Sequence, residues 1–114
     1  MVMERGEVWW AQLPDPIASE PGFRRPVLII QSNTFNRSRI RTIMAVVLTS
    51  NLRISEAPGN VLIPASEAGL PKDSVANVSQ VITVDRAFLA DKCGKLPSLL
   101  MRMVDEGLRL VLSL

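Results

Sequence analysis

The segment formed by residues 19–32 reads SEPGFRRPVLIIQS and joins a polar loop directly to an uninterrupted apolar strand. The loop carries a hydroxyl, a carboxylate and two adjacent guanidinium groups, on Ser19, Glu20, Arg24 and Arg25. Pro26 fixes its own φ and favours an extended Arg25, so Arg25 is held where the strand begins. A guanidinium binds phosphate through two hydrogen bonds. The segment therefore predicts an anion-binding loop anchored on a buried strand. A plain hairpin loop with two solvated arginines is the alternative.

Length and composition predict a single soluble domain spanning residues 1–114. The chain is 47% hydrophobic and 21% charged, which is typical of a globular protein. No eighteen apolar residues run together, and the N-terminus lacks the apolar core of a signal peptide. We therefore expect a cytoplasmic protein without a membrane segment, and its apolar surplus indicates a protein partner.

The chain contains no histidine. This excludes nucleophile schemes that need a histidine base, the paired-histidine ribonuclease mechanism and histidine-containing metal sites. The carboxylates are scattered without a ligand-like cluster, and no glycine-rich nucleotide-binding motif is present. We therefore expect neither a metal nor a cofactor. The single cysteine, Cys93, has no catalytic partner nearby in sequence and is interpreted as a small core residue.

The middle of the chain is strongly basic. Residues 21–55 contain no acid and six arginines, which are Arg24, Arg25, Arg37, Arg39, Arg41 and Arg53. This distribution predicts a positive face that meets phosphates, with a chance imbalance on a solvated surface as the alternative.

Short apolar and alternating segments predict five to seven strands. They lie at residues 6–13, 26–31, 43–49, 60–64, 74–84 and 91–96, and the segment 74–84 is either one long bent strand or two. A short helical turn or a loop is expected within 32–39, and one helical turn at 65–69. One long helix starts at Pro97-Ser98, with Ser98 as its cap. Its buried stripe consists of Leu100, Met103, Val104, Gly107, Leu108, Val111 and Leu112. This pattern predicts a mainly β fold, a small bent barrel with one C-terminal helix.

Three further features of these elements have functional or packing consequences. The second central strand ends in Thr49-Ser50-Asn51, whose hydroxyls suit a phosphate beside an arginine; a plain turn is the alternative.

One residue of the Trp9-Trp10 pair can pack in the core while the other offers a base a stacking surface, unless both are core. Gly107 inside the helix stripe predicts a neighbour that approaches closely.

Four motifs spread along the chain carry a family resemblance. They are Arg5-Gly6-Glu7-Val8-Trp9, Ser19-Glu20-x-Gly22-x-x-Arg25-Pro26-Val27-Leu28, Val47-Leu48-Thr49-Ser50 and Ser79-Gln80-Val81. Together they resemble the MazF/PemK family of toxin endoribonucleases from bacterial toxin–antitoxin pairs. The resemblance implies a small SH3-like barrel of the CcdB/PemK type, a homodimer and a cognate antitoxin. It also implies sequence-specific, metal-independent cleavage of single-stranded RNA, which inhibits translation and growth.

The resemblance also assigns roles to residues. The catalytic pair falls on Arg25 and Thr49, and the RNA-binding residues are Ser19, Glu20, Arg24, Ser50 and Gln80. Cleavage without a metal uses the neighbouring 2′-hydroxyl as nucleophile and leaves a 2′,3′-cyclic phosphate and a 5′-hydroxyl. Arg25 would stabilise the charge of the phosphorane and Thr49 would hold a phosphate oxygen. Glu20 accepts either from a base amine or from the 2′-hydroxyl, and the proton-transfer roles stay open.

Two other functions fit the same fold. A CcdB-like toxin poisons gyrase by binding it through a tryptophan near the C-terminus, whereas this chain ends in residues 110–114 without an aromatic side chain. A catalytically dead binding module would need altered residues at the Arg25 and Thr49 positions. Pro21 and Ser79 depart from the common family pattern beside the base-reading surface. The sequence therefore leaves the cleavage sequence open, and it does not identify the antitoxin.

Overall fold

The computed structural model describes residues 2–13 and 23–114, in which six antiparallel strands form one curled sheet. The strands are β1 (Glu7–Leu13), β2 (Phe23–Ile29), β3 (Thr42–Thr49), β4 (Val61–Ile63), β5 (Ser74–Asp85) and β6 (Leu89–Lys95). Their order across the sheet is β4-β5-β3-β2-β1-β6. The predicted mainly β fold and its number of strands are confirmed.

Helical structure is confined to short turns and one long helix in the described residues. The helices are α1 (Asn33–Asn36), α2 (Ala65–Ala68) and α3 (Ser98–Leu112), and 3-10 turns cover Leu52–Glu56 and Arg86–Phe88. The predicted turns and the C-terminal helix are confirmed. None of the helices in the described residues is long and apolar enough to cross a bilayer.

The continuous apolar runs arise because the central strands are buried on both faces. In β2, Leu28 packs into a first cluster with Val104 and Leu108 of α3. Its neighbours Val27 and Ile29 pack into a second cluster on the other side of the sheet. Alternate side chains of a strand point to opposite faces, so two cores require an apolar residue at nearly every position.

The curl of the sheet brings its two edge strands towards each other. Helix α2, which follows edge strand β4, packs against the other edge strand, β6. The backbones approach so closely that a Cβ on Gly94 would lie 3.0 Å from the carbonyl oxygen of Ala68. An exposed strand edge invites pairing with other chains, so α2 both completes the barrel and covers an edge.

The first family motif has structural roles. Arg5 forms an ion pair with Asp105 of α3 at 2.5 Å, and its Nε donates to the carbonyl oxygen of Ile30 at 2.7 Å. Its backbone amide donates to Asn33 Oδ1 at 2.8 Å. One residue therefore ties the N-terminal segment to the end of β2, to α1 and to the long helix.

Glu7 is a buried carboxylate with three partners. Its Oε1 accepts from the Glu4 amide at 2.9 Å and from Trp9 Nε1 at 3.0 Å, and its Oε2 lies 2.9 Å from Lys92 Nζ. Burial acts to raise the pKa of Glu7, but these three partners hold that pKa below its ordinary value. The hydrogen bond and charge of Glu7 raise the pKa of Lys92 in turn. Glu7 is therefore ionised in the folded protein at neutral pH.

Two predictions about α3 are wrong in detail. Pro97 occupies the cap position, with φ −64° and ψ 155°, and Ser98 is already helical and makes no capping hydrogen bond. In the predicted stripe, Val104, Gly107 and Leu108 are buried, whereas Met103, Val111 and Leu112 are exposed. The helix packs mainly on β4 and β5, and β4 has only three residues. The support beneath the helix is therefore too short to bury the whole stripe.

The prediction for Gly107 is confirmed. A Cβ at this position would overlap the carbonyl oxygen of Gly59 and lie 3.2 Å from Val78 Cγ1. The close neighbour is therefore the turn before β4 of the same chain.

Candidate active site

A cleft of about 250 Å³ opens where the start of β2 meets the end of β3. Its lining residues come from four strands, the position after β3 and one turn, and are Trp10, Arg24, Arg25, Pro26, Leu48, Ser50, Leu70, Pro71, Lys72, Asp73 and Ser74. The antiparallel pairing of β2 with β3 brings the arginine pair beside the exit of β3, although the two lie far apart in sequence.

The register of the sheet sets Arg25 level with Thr49. Val27 of β2 pairs with Val47 of β3, and continuing that register by two residues places Arg25 opposite Thr49. Because successive side chains of a strand point to opposite faces, Arg25 and Thr49 both fall on the face that carries Val27. Residues opposite each other on one face have Cβ atoms about 5 Å apart where the strands remain paired. By this extension of the register, the predicted catalytic pair takes matching positions; Arg25 lines the cleft, and Thr49 lies between its lining residues Leu48 and Ser50.

The Thr49 side chain is oriented by the chain itself. Its Oγ1 accepts a hydrogen bond from the Asn51 amide at 3.1 Å. A hydroxyl that accepts in this way keeps its own hydrogen for donation. Thr49 is half-buried at the strand end, so its hydroxyl can donate to an anion that reaches it.

Arg24 lies on the opposite face from Arg25 and has different partners. Its guanidinium carbon is 4.6 Å from the centre of the Trp10 ring, and its NH2 is 3.5 Å from Asp91 Oδ2. Trp10 is half-buried in the cleft wall, whereas Trp9 is 2% exposed in the second cluster. One tryptophan is therefore core and the other forms part of the cleft, as one of the two sequence interpretations expected.

The turn at residues 70–74 is the part of the cleft that sequence reasoning missed. Ser74 is 3% exposed, and its Oγ has no hydrogen-bond partner among the described residues. Thr49 pairs with Val75 in the antiparallel ladder, so the next positions, Ser50 and Ser74, are neighbours, and both line the cleft. The polar turn before β5 was visible in the sequence, but its strand partner was not.

Gln80 and the loop residues are placed differently. Val46 and Leu48 of β3 pair with Val81 and Ala76 of β5, so residues 77–80 form a bulge. Gln80 is half-buried in this bulge and does not line the cleft. Ser19 and Glu20 lie outside the described residues. Of the predicted site residues, the cleft therefore gathers Arg24, Arg25 and Ser50, and Thr49 directly precedes Ser50 at the end of β3.

Arginines of the basic region line two separate pockets. Arg24 and Arg25 lie at the cleft, whereas Arg37, Arg39 and Arg41 line a separate groove before the start of β3. Since Thr49 ends that strand, the length of β3 separates these two groups of arginines.

Cys93 behaves as a packing residue. It is half-buried against the first cluster. Burial raises the pKa of the Cys93 thiol, with the Arg24 charge opposing this and the Asp91 charge adding to it. The thiol is therefore protonated at neutral pH, which does not favour a nucleophile.

The chain matches one family over nearly its whole length. A family model described as PemK-like, MazF-like toxin of type II toxin–antitoxin system matches residues 4–112. The chain is 48% identical to endoribonuclease MazF6 of Mycobacterium tuberculosis, with 100% of both chains covered. It is 37% identical to endoribonuclease EndoA of Bacillus subtilis, with 100% of this chain and 97% of the relative covered. These matches include every segment that lines the cleft.

The fold is also found among solved structures. An endoribonuclease from a mycobacterial species, in complex with its cognate antitoxin, has a TM-score of 0.79 at 25% identity, and the match covers 98% of this chain and 96% of that one. The curled sheet with its C-terminal helix is therefore shared with that protein.

Proposed function

The chain belongs to the PemK-like, MazF-like family of toxins of type II toxin–antitoxin systems, and we propose that it cuts single-stranded mRNA as a sequence-specific, metal-independent endoribonuclease. Its curated relatives are endoribonucleases that match its full length, which supports the activity. The gyrase-poisoning alternative has no comparable support. The observation that supports the chemistry is the pairing of β2 with β3, whose register, continued by two residues, puts Arg25 opposite Thr49 beside the cleft.

The reaction needs charge stabilisation more than it needs a protein nucleophile. The 2′-oxygen of the substrate attacks the adjacent phosphorus, and the bond from phosphorus to the 5′-oxygen breaks. The products are a 2′,3′-cyclic phosphate and a 5′-hydroxyl, so one proton leaves the 2′-oxygen and one reaches the 5′-oxygen. The Arg25 guanidinium stabilises the extra negative charge of the phosphorane, and the Thr49 hydroxyl donates to a phosphate oxygen. Preorganised donors of this kind reduce the barrier because they do not reorient during the reaction.

Arg24 and Trp10 bind parts of the RNA other than the reacting phosphate. The Arg24 guanidinium is stacked on Trp10, so it presents a positioned cation to RNA phosphates. The Trp10 ring in the cleft wall offers an unstacked base an aromatic contact. A cleft of this kind selects single-stranded RNA, since the bases of a duplex are already stacked. Ser50 lines the same cleft, and Ser19, Glu20 and Gln80 complete the RNA-binding set that we propose.

The toxin acts in the cytoplasm as a homodimer that a cognate antitoxin inhibits. Exposed apolar side chains on α3 provide surface for such contacts, and they are Leu99, Met103, Leu110, Val111 and Leu112. The close neighbour of Gly107 is Gly59 of the same chain, so this glycine is no evidence for a dimer. The support for association comes from the exposed apolar side chains of α3. A solved structural neighbour is bound to its own antitoxin, which supports a partner of the same kind.

The test compares adjacent arginines in single-turnover cleavage. Sequencing transcript ends after brief expression first maps the cut site, and a chimeric oligonucleotide with one ribose there is the substrate. Arg25→Ala should lower the rate by about 10²–10³ or more, as expected for a donor aimed at transition-state charge. Arg24→Ala is the matched control and should weaken binding but leave most of the rate. Thr49→Val, which keeps the shape and removes the hydroxyl, should fall between them.

Excess chelator should leave the wild-type rate unchanged. Cleavage by Arg25→Ala within about tenfold of wild type, or loss of wild-type activity in chelator, would refute the metal-free arginine mechanism. Circular dichroism of each variant establishes that the fold is retained.

A further inference from the structure

A second groove, of about 400 Å³, lies at the end of β3 opposite Thr49. We call it the arginine groove; it is lined by Val2 and by residues 36–41 and 85–87. Four arginines line it, Arg37, Arg39, Arg41 and Arg86, and its one carboxylate belongs to Asp85. Strand β3 has eight residues, so at about 3.3 Å per residue roughly 25 Å separate this groove from the candidate active site.

The loop that forms the arginine groove is held in place by Arg86. Its Nε donates to the carbonyl oxygen of Ile40 and its NH2 to that of Asn36, both at 2.8 Å. Ser38 Oγ donates to the Phe35 carbonyl oxygen at 2.6 Å and accepts from the Ile40 amide at 3.2 Å. These bonds fix the backbone from which the other three arginines extend. The groove is therefore built before any ligand arrives.

The remaining guanidinium groups are available to an anion. Arg41 is 3.6 Å from Asp85, but its side chain is 82% exposed, so this pair is weak. Within residues 2–13 and 23–114, no ion pair holds Arg37 or Arg39, and both are exposed. Several exposed arginines on an anchored loop with little neutralising charge are typical of a polyanion site.

We propose that the arginine groove binds phosphates of the RNA strand that flanks the cut site. This inference rests on the proposed endoribonuclease function and extends it to the length of RNA that the enzyme contacts. The separation between the two sites places these phosphates several nucleotides from the cut site. Phosphate contacts position a strand but carry no sequence information. The groove therefore increases affinity for long transcripts without changing the cleavage sequence.

The test measures RNA length dependence with matched charge removal. Two oligonucleotides carry the mapped cut site with deoxyribose at the cut position. The short one spans the site alone, and the long one adds about ten nucleotides on each side. The groove variant is Arg37→Gln/Arg39→Gln, and the control variant is Arg102→Gln/Arg109→Gln, which removes the same charge from exposed positions of α3. Fluorescence anisotropy is recorded between low and physiological salt.

The groove variant should bind the long oligonucleotide about tenfold more weakly in low salt, and its salt slope should become shallower by about 1.4, or 0.7 per lost phosphate contact. Its affinity for the short oligonucleotide and its cleavage of a short substrate should equal those of wild type. The control variant should change the two affinities by a similar small factor.

Three results would overturn the proposal. In the first, the groove variant binds the long oligonucleotide as tightly as wild type does. In the second, it binds both oligonucleotides more weakly by the same factor. In the third, it loses affinity for the antitoxin but not for RNA, which would assign the groove to a protein partner. If the wild-type chain cut no RNA at all, the proposed function itself would fail. Normal wild-type cleavage with an unaffected groove variant would instead reject the groove alone.

Discussion

Replacing Gly107 by alanine should destabilise the protein even though alanine is the better helix former. In an exposed helix interior, this change would stabilise the fold by about 1 kcal/mol. Here the new Cβ overlaps the Gly59 carbonyl oxygen and comes within 3.0 Å of its carbonyl carbon. The obstacle is backbone, which cannot rotate away as a side chain can. Overpacking of this kind costs about 1–3 kcal/mol, and a backbone clash should lie at the upper end.

The net expectation is a loss of about 2 kcal/mol in the free energy of unfolding, obtained as about 3 kcal/mol of overpacking less 1 of helix propensity. Urea unfolding followed by tryptophan fluorescence measures it, because Trp9 is buried and reports on the core. Glu106→Ala, at the exposed neighbouring position, is the control and should change stability by less than about 0.5 kcal/mol. A Gly107→Ala protein as stable as wild type would show that the helix and the Gly59 turn do not touch.

Two further predictions concern buried polar groups. Glu7→Gln should cost about 1–2 kcal/mol at pH 7, since Lys92 loses a charged partner. Because folding lowers the pKa of Glu7, the ionised side chain stabilises the protein at pH values above its ordinary pKa of 4.5. This stabilisation is lost as the pH falls below 4.5, so the difference in Tm between Glu7→Gln and wild type should shrink there. Glu4→Gln, at an exposed ion pair, is the control, and a difference that grows in acid would contradict the assignment. Ser74→Ala should raise stability by up to about 1 kcal/mol, because the buried Oγ has no partner among the described residues. A loss of stability, compared with the exposed control Ser50→Ala, would show that the hydroxyl is satisfied.

The site was predictable in part because two of its segments carry local signals. Arg24 and Arg25 follow a loop and precede Pro26, and Thr49 and Ser50 end an apolar run, so both read as polar groups at strand ends. The cleft wall at residues 70–74 was missed because its place depends on pairing of β5 with β3. Gln80 lies in a bulge, and an irregular pairing leaves no period in the sequence.

The sequence by itself determined the elements of this protein. Alternating and continuous apolar runs specify six strands, helical spacing specifies α3, and Gly107 marks a close approach, because each signal depends on residues only a few positions apart. Only the tertiary structure decided which strands pair and in which register. It brought Arg25 and Thr49 to the same end of the β2–β3 pair, put Arg24 over Trp10 and placed Arg37 and Arg39 in a groove at the far end of β3. Register is a property of two strands distant in the chain, and a shift of one residue would turn every side chain to the other face.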